Sequence, residues 1–185
     1  LLVTERIENG DGFGVNAGSA INKGVELNLI GKILDNEEKW FKSLTFTGNT
    51  TFASYRFNRF IDDQNDFSGN RLPGLPSFIA NSSFTSRFGA NWRLQIDHHF
   101  YGNQYLDDEN SSMLRNFSVW NLQLDYQQER GRVLVDIGFG INNLFDLKYS
   151  GMIVTNAPSF GGNAPRYFYP GQPRNYSISL QVSIQ

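Results

Sequence analysis

Residues 174–185 read Arg174-Asn175-Tyr176-Ser177-Ile178-Ser179-Leu180-Gln181-Val182-Ser183-Ile184-Gln185, an unbroken alternation of polar and apolar side chains. Successive side chains on a strand point to opposite faces, so Tyr176, Ile178, Leu180, Val182 and Ile184 form one greasy face of a half-buried strand. That face extends over about 10 residues, the length a membrane β-strand needs. The same dyad recurs upstream. Trp120, Leu122, Leu124 and Tyr126 oppose Asn121, Gln123, Asp125 and Gln127, and Val133, Val135, Ile137, Phe139 and Ile141 oppose Asp136, Gly138, Gly140 and Asn142. The pattern predicts an all-β chain, an antiparallel transmembrane β-barrel segment.

Composition sets the bounds. In 185 residues, 39% hydrophobic and 15% aromatic, there is enough apolar material for one core if the chain were soluble. Sixteen basic against eighteen acidic residues give a formal net charge of −2, which leaves no electrostatic footprint for nucleic acid. The absence of cysteine removes disulfides, thiolate zinc sites and cysteine nucleophiles together. No apolar run reaches the ~18 residues of a membrane helix, and no signal-peptide pattern precedes the first strand. The first residue is Leu1, as in a processed protein or a fragment.

Gly, Asn, Ser, Thr and Phe fill the elements, and all are poor helix formers. The alternation predicts about eight strands, near 1–8, 13–34, 39–57, 76–88, 91–106, 116–127, 132–149 and 174–185. Connections 35–38, 89–90 and 128–131 are short and 58–75, 107–115 and 150–173 are long; 9–12 is the exception, short where a long loop is due. Short turns on one side and long loops on the other characterise outer-membrane barrels, the short side facing the periplasm. Trp40, Phe41, Phe88, Trp92 and Tyr126 cluster where strands meet the short turns, as an interfacial girdle would. A soluble sandwich could also end its core in aromatics. Strand length separates the two, because 132–149 and 13–34 far exceed the 5–6 residues common in soluble strands. The opposite face, with Ser43, Thr45, Thr47 and Asn49, then Asn81, Ser83, Thr85 and Arg87, then Arg93, Gln95, Asp97 and His99, suits a wet lumen.

Gly138-Phe139-Gly140-Ile141-Asn142-Asn143-Leu144-Phe145-Asp146-Leu147-Lys148-Tyr149 resembles the penultimate strand of TonB-dependent outer-membrane receptors, whose pattern is close to G-x-x-N-L-F-D-x-x-Y. Asn16-Ala17-Gly18 followed by Gly24-Val25-Glu26, the entry Leu72-Pro73-Gly74-Leu75-Pro76, and the approach Tyr169-Pro170-Gly171-Gln172-Pro173-Arg174-Asn175-Tyr176 are similar to family segments in the same order. The resemblance implies a plugged barrel of the roughly 22-stranded transporter class, of which residues 1–185 would be the carboxy-terminal part of a single barrel domain. The plug domain and the TonB-binding segment would then precede Leu1. The family usually closes on an aromatic residue; this chain ends Ile184-Gln185.

Asn142, Asn143 and Asp146 surround Leu144 and Phe145 where alternation breaks, which predicts a bulge or local twist whose side chains satisfy unladdered backbone, with Tyr149 closing the motif. Gly138 and Gly140 leave lumenal space. They are no dinucleotide loop, because Asn143 replaces the third glycine. Gly24 is expected to mark a bend, and Glu26 to be a lumenal carboxylate paired with Lys32, Lys42 or Arg93. His98 and His99 are adjacent on a strand and so face opposite ways, unfit to chelate one metal. Asp62, Asp63, Asn65 and Asp66 lack the distal Glu of a calcium loop and, like Asp107, Asp108 and Glu109, suit a solvated acidic loop. No catalytic elbow or H-E-x-x-H pair occurs, and neither catalytic, metal nor cofactor residues are expected.

Ligand contacts are expected in the long loops, from Arg56, Arg59, Phe60, Arg71, Tyr101, Tyr105, Arg166, Tyr167, Phe168 and Tyr169. Arginine beside aromatic rings can hold a flat anionic ligand such as a metal chelate. By resemblance the whole protein would import a ferric siderophore, or else cobalamin or a saccharide. Its partners would be outer-membrane lipid, the remaining barrel strands and plug, TonB and the small-molecule chelate. Two alternatives remain open at this point: a complete eight-stranded outer-membrane barrel, and a soluble β-sandwich binding ligand through loops.

Overall fold

The structure, a computed structural model, describes residues 2–6, 12–16, 18–62, 64–159 and 161–184, the first two stretches through their backbone alone. Residues 9–11 of the first connection, Ala17 of the Asn16-Ala17-Gly18 match, Asp63 and Gln185 lie outside the described residues. The strands are β1 (Leu2–Arg6), β2 (Gly12–Asn16), β3 (Gly18–Asp35), β4 (Phe41–Asp62), β5 (Asn65–Asp66), β6 (Phe78–Phe88), β7 (Trp92–Tyr101), β8 (Gln104–Tyr105), β9 (Met113–Leu114), β10 (Phe117–Arg130), β11 (Val133–Asn142), β12 (Ser150–Ile153), β13 (Phe168–Pro170) and β14 (Asn175–Ile184). Every pairing is antiparallel.

One eight-stranded sheet dominates, in the order β14-β11-β10-β7-β6-β4-β3 with β5 attached to β4. Each long strand pairs with its neighbour in sequence, an up-and-down meander. Its register separates the faces row by row. Tyr176, Ile141, Leu122, Ile96, Phe84 and Phe46 lie abreast across six strands, and the adjacent row is Ser177, Gly140, Gln123, Gln95, Thr85 and Thr45. The apolar face is uncovered: in that row Phe84 is 37% and Tyr176 62% exposed, and farther along the edge strand β14 Ile178 reaches 80%. A greasy face without a second layer is unstable in water and at home in hydrocarbon.

Aromatic side chains bound that face at both ends. Trp40, Phe88, Trp92 and Tyr126 form a ladder beside the short turns, with centroids 5.3, 6.3 and 4.8 Å apart along it. Near the loop ends Phe52, Phe78 and Phe100 form another, at 4.8 and 5.5 Å. With a rise of about 3.3 Å per residue and a tilt of about 40°, the stretch from Phe78 to Phe88 climbs roughly 25 Å, the height of the apolar band of a membrane barrel.

Neither alternative architecture describes this sheet. Among the described residues β3 and β14 do not pair, so the sheet does not close on itself, and its strands touch only sheet neighbours, so no second layer packs on it.

Several boundaries differ from expectation. The strand expected over 132–149 ends at Asn142, because Asn143 and Asp146 take positive φ (52° and 53°) and turn the chain. The strand expected over 91–106 is interrupted after Tyr101, and the connection 150–173 contains the β12–β13 hairpin. Strand β4 continues to Asp62 because it pairs with β3 up to Phe60 and then with β5. Register runs unbroken through Gly24 and shifts between Ser19 and Ala20 and between Lys32 and Leu34. A Cβ at Gly24 would stand 2.8 Å from the Phe52 carbonyl oxygen, so close backbone approach accounts for the glycine.

Candidate functional site at the loop end of the polar face

The polar face is a connected network. Asp125, only 9% exposed, accepts at one oxygen from Arg93 Nε and Nη2 (3.0 and 2.8 Å) and at the other from Gln123 Nε2 (2.7 Å). Gly138 and Gly140 lie beneath that Gln123 side chain, where a Cβ would come within 2.8 Å of its amide. Asn49 donates to Asn28 at 2.6 Å, and His99 Nδ1 lies 2.8 Å from Asn81 Oδ1. His98 is on the apolar face, stacked on Trp120 at 4.2 Å with Nε2 2.7 Å from Ser118 Oγ. Glu26 is exposed on β3. None of the three expected cations meets it: Lys32 pairs with Asp35, Lys42 with Glu37 and Arg93 with Asp125.

Where the polar face meets the loops, a cavity of about 570 Å³ opens. Its wall comes from the loop ends of β7, β10, β11 and β14, and its rim from β8, β9, β12 and Gly74 and Pro76. Tyr101, Phe117 and Tyr149 line it as a continuous aromatic platform, with successive centroids 5.2 Å apart. Gln104, Asn121, Asn142 and Gln172 add amides.

The Asn142–Asp146 segment supports this cavity. Asn143, 2% exposed, donates through Nδ2 to the carbonyls of Leu147 (2.9 Å) and Gln172 (3.0 Å) and accepts Leu147 N–H at 2.9 Å, while its own N–H reaches Asn121 Oδ1 at 2.9 Å. Asp146 Oδ1 accepts Arg174 N–H at 2.9 Å, and Leu144 N–H donates to Trp120 O at 2.7 Å. Phe145 is exposed, edge-on to Trp120. The motif is thus a turn tying β11 to the start of β14, rather than a bulge inside a strand.

The loop residues expected to meet ligand do not form one cluster. Tyr101 lines the cavity. Arg56, on β4, donates to Gly69 O at 2.7 Å in the loop that follows, and Arg71 within that loop donates to Ser77 Oγ at 3.2 Å. Phe60 is buried against Phe57 and Phe67, at 4.7 and 5.6 Å, and the Tyr105 carbonyl accepts from Gly74 N–H at 2.8 Å. Arg59 is exposed on β4. Arg166, Phe168 and Tyr169 are exposed on or beside the β12–β13 hairpin, where the Tyr167 carbonyl accepts from Val154 N–H at 2.9 Å.

The acidic loop residues close turns. Asp107 accepts from the N–H groups of Ser111 and Ser112 at 2.7 and 3.0 Å, and Asp66 from that of Ser68 at 2.9 Å. The Ser68 hydrogen bonds hold the Asp66 carboxyl below its usual range, whereas burial, opposed by the Asn156 hydrogen bond, pushes Asp108 up. Among the described residues no group of three or more His, Cys, Asp or Glu is placed to hold a metal ion.

Sequence reasoning missed Gln104, Phe117, Asn121 and Gln172. A signal existed for Phe117, which sits on the polar parity of β10, an aromatic where a lumenal polar residue is due.

Comparison with known proteins agrees with this geometry. The family model described as TonB dependent receptor-like, beta-barrel matches residues 3–144. Among solved structures, the siderophore receptor PiuA from Acinetobacter baumannii superposes with a TM-score of 0.68 at 18% identity, over 98% of this chain and 24% of that one. BauA, the ferric preacinetobactin receptor of the same organism, gives 0.68 at 17% identity, over 99% and 25%. The ferric yersiniabactin uptake receptor FyuA from Yersinia pestis gives 0.66 at 19%, over 93% and 24%. The chain spans about a quarter of the length of these receptors. With its family model matched over most of its length, this chain belongs to the TonB-dependent receptor-like β-barrel family.

Proposed function

We propose that this chain is the carboxy-terminal part of the barrel of an outer-membrane receptor that imports a metal chelate, a ferric siderophore, with energy delivered through TonB. The strands supply lipid-facing wall on one side and polar lumen on the other. Their partners are outer-membrane lipid, the remaining barrel strands, a plug domain and TonB. The observation that carries the reading is the cavity at the loop end of the polar face, lined by the Tyr101-Phe117-Tyr149 platform and rimmed by the long connections. A ligand entering between the loops meets that platform before the lumen below it.

The test is uptake of radiolabelled ferric chelate by cells expressing the full-length gene product, with and without TonB. TonB-dependent accumulation and recovery of the protein in outer-membrane fractions are expected. Uptake indifferent to TonB, or a product soluble without detergent, would overturn the reading.

A further inference from the structure

The cavity at the loop end carries no carboxylate, ammonium or guanidinium group among its described lining residues, and its one imidazole, His99, is engaged through Nδ1 with Asn81 Oδ1 at 2.8 Å. Arginines and acids are nonetheless plentiful in the loops nearby. Arg56 and Arg71, which could have met an anion, hold the loop after β4 together. In place of charge the lining offers uncommitted hydrogen-bonding groups. Gln104 is 9% exposed, lines the cavity, and among the described residues its side-chain amide has no hydrogen-bond partner. That amide opens onto the cavity, where a ligand hydrogen bond can take the place of its contact with water. The same cavity is lined by the three rings of the platform, and ring faces favour a flat, weakly hydrated surface over a carboxylate.

Resting on the proposed receptor function, we infer that this wall selects a ligand surface that is uncharged and dense in hydroxyl or amide groups, with Gln104 as a specificity-determining contact. For metal chelates this names a class. A ferric ion bound by three singly charged hydroxamates is neutral, whereas three doubly charged catecholates leave three negative charges. Bringing the second against amide dipoles and ring faces strips its water without supplying a counter-charge. The first loses little and gains hydrogen bonds. The wall thus discriminates by refusing charge as much as by attracting hydroxyl groups.

The experiment uses the full-length receptor in detergent, with tryptophan fluorescence reporting binding of three probes: a neutral ferric tris-hydroxamate, a tri-anionic ferric tris-catecholate and a neutral oligosaccharide. The hydroxamate complex is expected to bind at least about tenfold more tightly than the catecholate. Gln104→Leu should weaken hydroxamate binding roughly two- to tenfold, the worth of one hydrogen bond. Gln104→Arg should narrow the preference by strengthening catecholate binding, an outcome that misfolding does not produce. Equal or tighter catecholate binding by the unaltered receptor overturns the inference and leaves the receptor function standing. Binding of the oligosaccharide alone, weakened by Gln104→Leu, supports the uncharged surface and overturns the metal-chelate reading. Binding of none of the three overturns both.

Discussion

Asn143 and Leu147 are bonded in both directions: the Asn143 amide donates to the Leu147 carbonyl and accepts from the Leu147 N–H, each at 2.9 Å. A side chain that mimics a peptide group in this way replaces the ladder that β11 gives up at Asn142. It does so from a left-handed backbone, where asparagine is among the few tolerated residues. Asn143→Ala should therefore lose stability twice. It leaves the Leu147 and Gln172 backbone groups unpaired in a buried place and puts an alanine at positive φ, together about 2–4 kcal/mol. Asn143→Gly keeps the backbone conformation and should lose about 1 kcal/mol less. The thermal midpoint of the heat-modifiable band of the intact receptor reads both, and equal losses in the two variants would refute the backbone share.

The pair Arg93 and Asp125 sits at the centre of the lumenal network, and its two ends are unequally exposed. Asp125 is nearly buried while the Arg93 side chain is 56% exposed. Arg93→Met strands a desolvated carboxylate whose remaining partner is Gln123; Asp125→Asn leaves a guanidinium that water can reach. The first should cost about 1–3 kcal/mol, discounted for the exposed arginine, and the second less than about 1 kcal/mol. Urea midpoints of the intact receptor test the order. A larger loss in Asp125→Asn would contradict this account.

Gly171 packs against the ring of Tyr149, so close that a Cβ there would fall within the ring's own envelope. Its N–H also donates to the Tyr149 carbonyl at 2.8 Å. Gly171→Ala should push the ring out of the platform with Phe117 and weaken ligand binding about tenfold or more while leaving the sheet folded. Gly31→Ala, at a glycine with open space around it, is the control and should change neither. Undisturbed binding in Gly171→Ala would remove Tyr149 from the site.

These contacts mark where the sequence could be read and where it could not. Alternation exposed the long strands, because a period of two survives any register and the lipid face admits few polar residues. The turn after Asn142 was legible as a break but not as a chain reversal, since Leu144 and Phe145 continue the apolar count while the deciding feature is the sign of φ at Asn143. The loop arginines misled for another reason. That Arg56 is used by Gly69 O, and Arg71 by Ser77, depends on how one loop folds on itself, which no periodicity records. The cavity draws Gln104, Asn121 and Gln172 from three distant segments, and only topology brings them together. Phe117 alone gave notice, as an aromatic out of phase.

Asp108 gives the loops a pH dependence whose sign follows from its surroundings. Burial is the main cause that raises its pKa, with Asp107 and Asp62 adding repulsion and the Asn156 hydrogen bond at 2.8 Å opposing them. A carboxyl whose pKa is higher in the folded than in the unfolded loop stabilises the fold when protonated. That contribution is complete below the ordinary carboxylate value and is lost as pH rises through the raised one. Asp66 acts the other way, and its contribution disappears only below the ordinary carboxylate range, so between the ordinary value and the raised one Asp108 governs. The hydrogen bonds that join the two loops through backbone N–H groups, Asn156 N–H to Leu106 O at 2.8 Å and Asp108 N–H to Asn156 Oδ1 at 3.0 Å, should thus open more often at neutral than at mildly acidic pH. Amide exchange at Asp108 and Asn156, corrected for the intrinsic pH dependence of exchange, measures it. Asp108→Asn removes the charge while keeping an acceptor for Asn156, and should hold both amides at their acid-side protection across the whole range. An Asp108→Asn receptor whose protection still falls toward neutral pH would assign the effect to another group.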